Sequence, residues 1–187
     1  MNLNIADYCK VYKNFIDEKQ CDIIVEQLEN VNWNLHSYRH GVTGDIITLG
    51  EKELSVSHDA IFETPYLMDK VHDGLRKYIL ELNFEWLVGW AGYSQIRFNK
   101  YDKNTMMNNH CDHINSIFDG ERKGIPFLTV LMSLNNDYTG GEFIMWEDTK
   151  IELDKGDIVI FPSNFLYPHK VLPVTQGTRY TCISWFY

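Results

Sequence analysis

Between residues 90 and 186 the chain breaks into short runs that alternate apolar and polar residues with a period of two. The runs are Trp90–Phe98, Asn109–His113, Pro126–Leu134, Glu142–Met145, Thr149–Leu153, Asp157–Phe161, His169–Pro173 and Arg179–Phe186. Turn formers separate them, in "NNDYTGG", "DKGD", "FPSN" and "TQG". Side chains of a strand point to opposite faces in turn, so this pattern buries one face of each run. Many short strands at such spacing predict a sandwich or a jelly-roll barrel.

The first half reads differently. "DEKQCDIIVEQLEN" opens on Asp17 as N-cap with Gln20 three residues on, a capping-box pattern, and Cys21, Ile24, Val25 and Leu28 form an apolar face at helical spacing. "TPYLMDKVHDGLRKYILEL" has Thr64 as N-cap and Pro65 at the first helical position. Its stripe is Leu67, Val71, Leu75, Tyr78 and Leu82, interrupted by Gly74, which weakens a helix. Helices first and strands later predict an α+β, mainly β chain, with helical support over about 1–85 packed on one sheet of a barrel core over about 86–187. At 187 residues the expectation is a single domain spanning 1–187. Trp86, Trp90, Phe98, Phe127, Phe143 and Phe161 are expected in the core.

Composition excludes several function classes. A net charge of -9, with no Lys/Arg stripe, argues against nucleic acid as a partner. No apolar stretch approaches the ~18 residues of a membrane span, and "MNLNIADYCKVYK" lacks the pattern of a signal peptide. A cytoplasmic location is therefore expected, with no membrane partner. Cys9, Cys21, Cys111 and Cys182 form no CxxC pair, which argues against structural zinc and is read as reduced thiols.

"NNHCDH", residues 108–113, sets four metal-ligand types side by side. On a strand, His110 and Asp112 share one face, and Cys111 and His113 share the other. One His and one carboxylate on one face form two-thirds of a facial triad, a site that leaves positions open on Fe(II). The second His is open among His36, His40, His58, His72 and His169, the last at the start of a late strand. Arg179 adds a constraint, because it shares a strand face with Thr181, Ile183 and Trp185. An arginine buried there needs an anion. The partner is either an internal carboxylate or a bound dicarboxylate whose other end chelates the metal.

These pieces resemble the 2-oxoglutarate/Fe(II) dioxygenases, in their prolyl 4-hydroxylase-like branch. The matching segments are "HCD" at 110–112, "GGEF" at 140–143, "KGDIVIFPS" at 155–163 and "HKVLPVTQGTRY" at 169–180, followed by Trp185, in the family's order. The resemblance covers about residues 90–187. It implies a double-stranded β-helix, a jelly-roll or cupin-like core, with His110, Asp112 and His169 as iron ligands. It also implies Arg179 as the partner of the distal carboxylate of 2-oxoglutarate, where many prolyl 4-hydroxylases have Lys and some animal oxygen-sensing relatives have Arg. Tyr101, nine residues before His110, matches a Tyr that bonds the same carboxylate, and Thr181 is placed to add a hydroxyl. Arg97 faces substrate or is a solvated arginine, and Trp185 lines the pocket.

The cofactors implied are Fe(II), 2-oxoglutarate and O2, with ascorbate in support. The reaction implied is hydroxylation, with release of succinate and CO2. The carboxylate of Asp112 favours hydroxylation, since related halogenases lack it. The implied substrate is a prolyl residue in a peptide or protein, with a free amino acid or other small molecule as the alternative. A cupin-type isomerase or hydrolase, and a non-catalytic jelly-roll binding module, are the rivals. The first has no need of Arg179, and the second requires a lost ligand, whereas all three are in place. Residues 37–60 are expected as a substrate-facing loop or hairpin, or a connection.

Overall fold

A computed structural model describes residues 4–39, 43, 45–48, 50–83, 92–112 and 126–187. Its two α-helices are α1 (Glu18–Gln27) and α2 (Thr64–Leu82). The strands of the first half are β1 (Lys10–Tyr12), β2 (Asn34–Leu35), β3 (Ser37–Arg39), β4 (Ile46–Thr48) and β5 (Ser55–Ser57). Those that follow are β6 (Arg97–Tyr101), β7 (Met107–His110), β8 (Leu128–Ser133), β9 (Thr139–Gly140) and β10 (Phe143–Met145). Last come β11 (Thr149–Ile151), β12 (Ile158–Pro162), β13 (His169–Val171), β14 (Val174–Gln176) and β15 (Arg179–Phe186).

Among the described residues the strands form a seven-stranded sheet, in the order β1-β12-β8-β15-β6-β5-β2, and a four-stranded sheet, β11-β10-β13-β7. Neighbouring strands within both sheets pair antiparallel. The large sheet is buried on both faces, which is why β8 and β15 read as nearly continuous apolar runs. On its outer face, Leu67, Val71, Leu75 and Tyr78 of α2 and Cys21, Ile24 and Leu28 of α1 pack with Val130, Met132, Ile158 and Ile160. On its inner face, Leu131, Val159, Ile183 and Trp185 meet Phe143, Met145 and Val171 of the small sheet. Gly74 has a packing reason, since a Cβ there would lie 2.9 Å from Ile158 Cδ1. The glycine lets α2 approach β12 closely, and the helix tolerates it.

Several expectations need correction. The first half is not helical support alone, because β1, β2 and β5 join the large sheet. The 37–60 stretch holds the antiparallel pair β3 and β4, and then β5, which adds to β6. Asp17 does cap α1, but its carboxylate accepts from Lys19 N, with no capping box through Gln20. Glu63, not Thr64, is the N-cap of α2. Thr64 is its first residue, and its hydroxyl accepts from Ile61 N. Among the described residues of the run Trp90–Phe98 the strand begins at Arg97 and continues to Tyr101, and among those of Asn109–His113 the strand is Met107–His110, which ends at His110. Trp86, Trp90, His40 and His113 lie outside the described residues.

Candidate metal centre and its relatives

β7 and β13 are antiparallel neighbours whose register sets His110 opposite His169. Their rings lie 4.3 Å apart, centroid to centroid. Asp112 follows the end of β7, so it is not on the strand as expected, but the chain still brings its carboxylate between the two rings. Asp112 Oδ1 is 3.4 Å from His110 Nε2 and 3.7 Å from His169 Nε2. One ligand atom from each residue lies within 4.8 Å of the others, a spacing that fits a metal ion.

His110 Nδ1 lies 2.8 Å from the Asn108 carbonyl, and His169 Nδ1 lies 3.1 Å from that of Tyr167. A carbonyl only accepts, so Nδ1 of each ring carries a proton and Nε2 is the nitrogen turned toward Asp112. Burial, then the neighbouring His110, brings His169 down to about 4, so its ring is neutral near pH 7. Burial would raise the carboxyl of Asp112, but His169, His110 and the Thr129 hydroxyl together hold it well below the usual range. Thr129 Oγ1 donates to Asp112 Oδ2 at 2.6 Å and lies 2.8 Å from Ser163 Oγ. One carboxylate oxygen is thus tied back while the other faces the imidazoles. Phe161 and Phe143 pack against the His169 ring, with centroids at 5.1 and 5.3 Å.

The three residues open on a cavity whose walls include Arg97, Asn99, Tyr101, Leu131, Phe143 and Ile183. Arg179 does not line this cavity. It lines an adjoining one, and Phe143 is common to both. Arg179 opens β15 opposite Tyr101 and is 1% exposed, with its guanidinium 5.1 Å from the centre of the Tyr101 ring. Its Nε and Nη1 are buried without a hydrogen-bond partner among the described residues. No internal carboxylate among those residues pairs with it, so of the two partners the sequence left open, the bound anion is the one that fits. The "GG" turn makes room for it. Gly141 has a φ of +67°, and a Cβ there would come within 3.1 Å of Arg179 Cδ.

The remaining sequence candidates divide. Tyr101 and Arg97 line the metal cavity. Burial raises the Tyr101 phenol, while Arg179 and Arg97 oppose that shift. Thr181 is fully buried and accepts from Asn99 Nδ2 at 3.3 Å. Trp185 is buried beneath the Arg97 guanidinium, 4.6 Å away, rather than among the residues lining the cavity. Thr129, Ser133 and Asn99 escaped the sequence reading. Ser133 Oγ, paired in register with Thr181, is another buried hydroxyl without a partner among the described residues. The available signal was a polar residue recurring inside the apolar run "FLTVLMSL".

Residues 96–187 match the family model described as the 2OG-Fe(II) oxygenase superfamily. That segment, just under half of the chain, is similar to the 2OG-Fe(II) oxygenase superfamily. A PKHD-type hydroxylase of Idiomarina loihiensis is 35% identical over 96 residues, covering 49% of this chain and 41% of that protein. A PKHD-type hydroxylase of Delftia acidovorans is 38% identical over 98 residues, covering 48% and 41%. The chain thus spans about two-fifths of the length of these relatives. Among solved structures, a prolyl hydroxylase of Trichoplax adhaerens in complex with a hypoxia inducible factor peptide fragment superposes with a TM-score of 0.68. It is 18% identical and covers 96% of this chain and 83% of its own. A Pseudomonas putida prolyl-4-hydroxylase gives 0.64 at 18% identity, with 96% and 91% covered. At such identities the likeness is one of fold, the double-stranded β-helix of this oxygenase superfamily with helices on its large sheet. No described helix is long and apolar enough to cross a membrane.

Proposed function

We propose that this chain is a 2-oxoglutarate- and Fe(II)-dependent hydroxylase in which His110, Asp112 and His169 hold the iron. The observation that supports it most is the His-Asp-His cluster with both Nε2 atoms turned to the carboxylate, set one cavity away from a buried arginine that lacks an acceptor among the described residues. A metal-dependent isomerase or hydrolase on the same ligands would have no use for Arg179. Here Arg179 takes the distal carboxylate of 2-oxoglutarate. The Tyr101 ring stands beside its guanidinium, and Thr181, already accepting from Asn99, keeps its own O–H to donate.

When bound, Fe(II), 2-oxoglutarate and O2 supply the oxidation, yielding succinate, CO2 and a hydroxylated product, with ascorbate in a supporting role. The chain supplies position. The Asn108 and Tyr167 carbonyls fix the two imidazoles, and Thr129 fixes the carboxylate. Arg179 holds the far end of the cosubstrate and so sets its orientation. Leu131, Phe143, Val171 and Ile183 keep water from the cavity.

The substrate is a prolyl residue in a peptide or protein, a reading supported by the branch of the family to which the relatives and fold neighbours belong. The site of action is the cytoplasm. The test is succinate release in the presence of Fe(II), 2-oxoglutarate and ascorbate, screened over proline-containing peptides and free amino acids. Gain of one oxygen atom, mapped to proline by mass spectrometry, is the expected result. Succinate release with no oxygen gained by any probe would remove the prolyl assignment, and no succinate at all would remove the enzyme.

A further inference from the structure

Arg97 is a cation in the metal cavity itself, and cosubstrate binding by Arg179 in the adjoining cavity does not use it. It sits on β6 and lines the cavity with His110, Asp112 and His169. Its guanidinium lies over the indole of Trp185, 4.6 Å from the ring centroid. Its Nε donates to Asn99 Oδ1 at 3.0 Å. Asn99 is itself oriented by donating from Nδ2 to Thr181 Oγ1 at 3.3 Å. With the Trp185 ring on one side and a tie at Nε, the guanidinium has no partner for Nη1 or Nη2 among the described residues and keeps them for another. That end of the fork matches the two oxygens of a carboxylate.

The protein's own carboxylates are already engaged. Asp112 accepts from Thr129 with one oxygen and faces the two histidines with the other. Glu53 has its oxygens on His36 Nδ1 and Asn108 Nδ2. Trp185 Nε1, on the residue that carries Arg97, is a further buried donor without a partner among the described residues. Burial pulls the Arg97 guanidinium down, with Asp112 opposing.

We propose that Arg97 reads the substrate, and that the substrate carries a carboxylate next to the C–H bond to be hydroxylated. Such a group belongs to a free amino acid or to the C-terminal residue of a peptide. This rests on the hydroxylase reading above; it confines a prolyl substrate to the C-terminal residue of a peptide, or replaces it with a free amino acid.

The test is titration calorimetry on the full chain loaded with Mn(II), in three steps. First, uptake of 2-oxoglutarate is measured. Absence of uptake overturns the hydroxylase reading and this inference with it. Next, a panel of free amino acids and of N-acetylglycyl dipeptides, each as the acid and as the matching amide, is titrated into the ternary complex. Acids should bind at least ~10-fold tighter than their amides, as loss of a charge-assisted hydrogen bond predicts. The free amino acids and the C-terminal acids separate the two sources. Last, R97Q should abolish the acid preference and R97K should keep part of it, both with 2-oxoglutarate affinity unchanged. The inference fails alone, with the hydroxylase reading intact, under any of three results: acids and amides bind alike or not at all, R97Q retains the preference, or R97Q loses 2-oxoglutarate instead.

Discussion

Asp157 and Arg179 are both 1% exposed, and they make opposite use of burial. Asp157 precedes β12 and is fully partnered. Lys13 Nζ reaches it at 2.7 Å, and the backbone N–H groups of Asn14 and Asp154 donate at 2.9 and 2.7 Å. It pins the segment after β1 to the turn before β12. Arg179 has a ring beside it and two nitrogens with no acceptor among the described residues. A folded chain rarely leaves such a group without a reason. A buried charge whose partners are present is architecture, and one whose partners are missing marks a ligand. If so, substitutions at the two ends should separate stability from binding.

The largest effect is expected where ligand and charge coincide. Asp112→Ala removes the one carboxylate from the metal cluster, and Mn(II) affinity should fall by more than the ~100-fold that loss of an outer partner costs. Calorimetric titration reads it, and unchanged affinity would mean that the cluster is not the metal site. Next comes Arg179→Gln. 2-Oxoglutarate affinity should fall by roughly 100-fold, within the range for truncating one side of a buried charge pair. Thermal stability should hold or rise, because an unpartnered charge leaves the core. A drop in Tm with cosubstrate affinity intact would make Arg179 a structural residue and erase its contrast with Asp157.

Asp157→Ala is the converse. It strands Lys13 and two backbone donors, so the chain should lose about 3 kcal/mol, at the low end for a buried pair since Lys13 is half exposed. 2-Oxoglutarate affinity of the remaining folded protein should be unchanged. Denaturant unfolding and calorimetry on one sample check both halves. A loss of affinity here would mean that the segment after β1 shapes the site.

How far the sequence revealed these features depended on strand length. β15 was readable from Arg179 to Phe186 because it is a long, apolar-rich run set off by the turn formers of "TQG", and both helices were readable from their apolar stripes. β2 and β5, at two and three residues, are too short to show any period, and β6 supplies their place in the sheet. Alternation paired His110 with Asp112 correctly, although Asp112 sits past the strand end. It could not choose among the other histidines, since the register of β13 against β7 is a tertiary fact. Ordinary strand composition concealed Thr129. Threonine suits a buried strand without any further role, and only the register opposite Trp185 on the inner face shows where its hydroxyl goes.

Thr129 therefore sets the finest test of the contrast, because it belongs to both sides of it. Its hydroxyl is a fully buried group with its partners present, as around Asp157, yet what it holds is a group awaiting a ligand, as at Arg179. Valine matches its shape and removes only the donor. Asp112 Oδ2 would then have no hydroxyl to accept from, and the carboxylate would be free to turn away from the histidines. Mn(II) affinity should fall by roughly 10-fold, the lower end for loss of an outer-sphere partner. Stability should change little, since the buried volume is kept and Ser163 Oγ can rotate. Ser163→Ala, one hydrogen bond further out, should do less. If Thr129→Val lowers Tm and leaves the metal untouched, the hydroxyl belongs to the architecture alone. The line between the two kinds of buried polar group then runs at Asp112 itself.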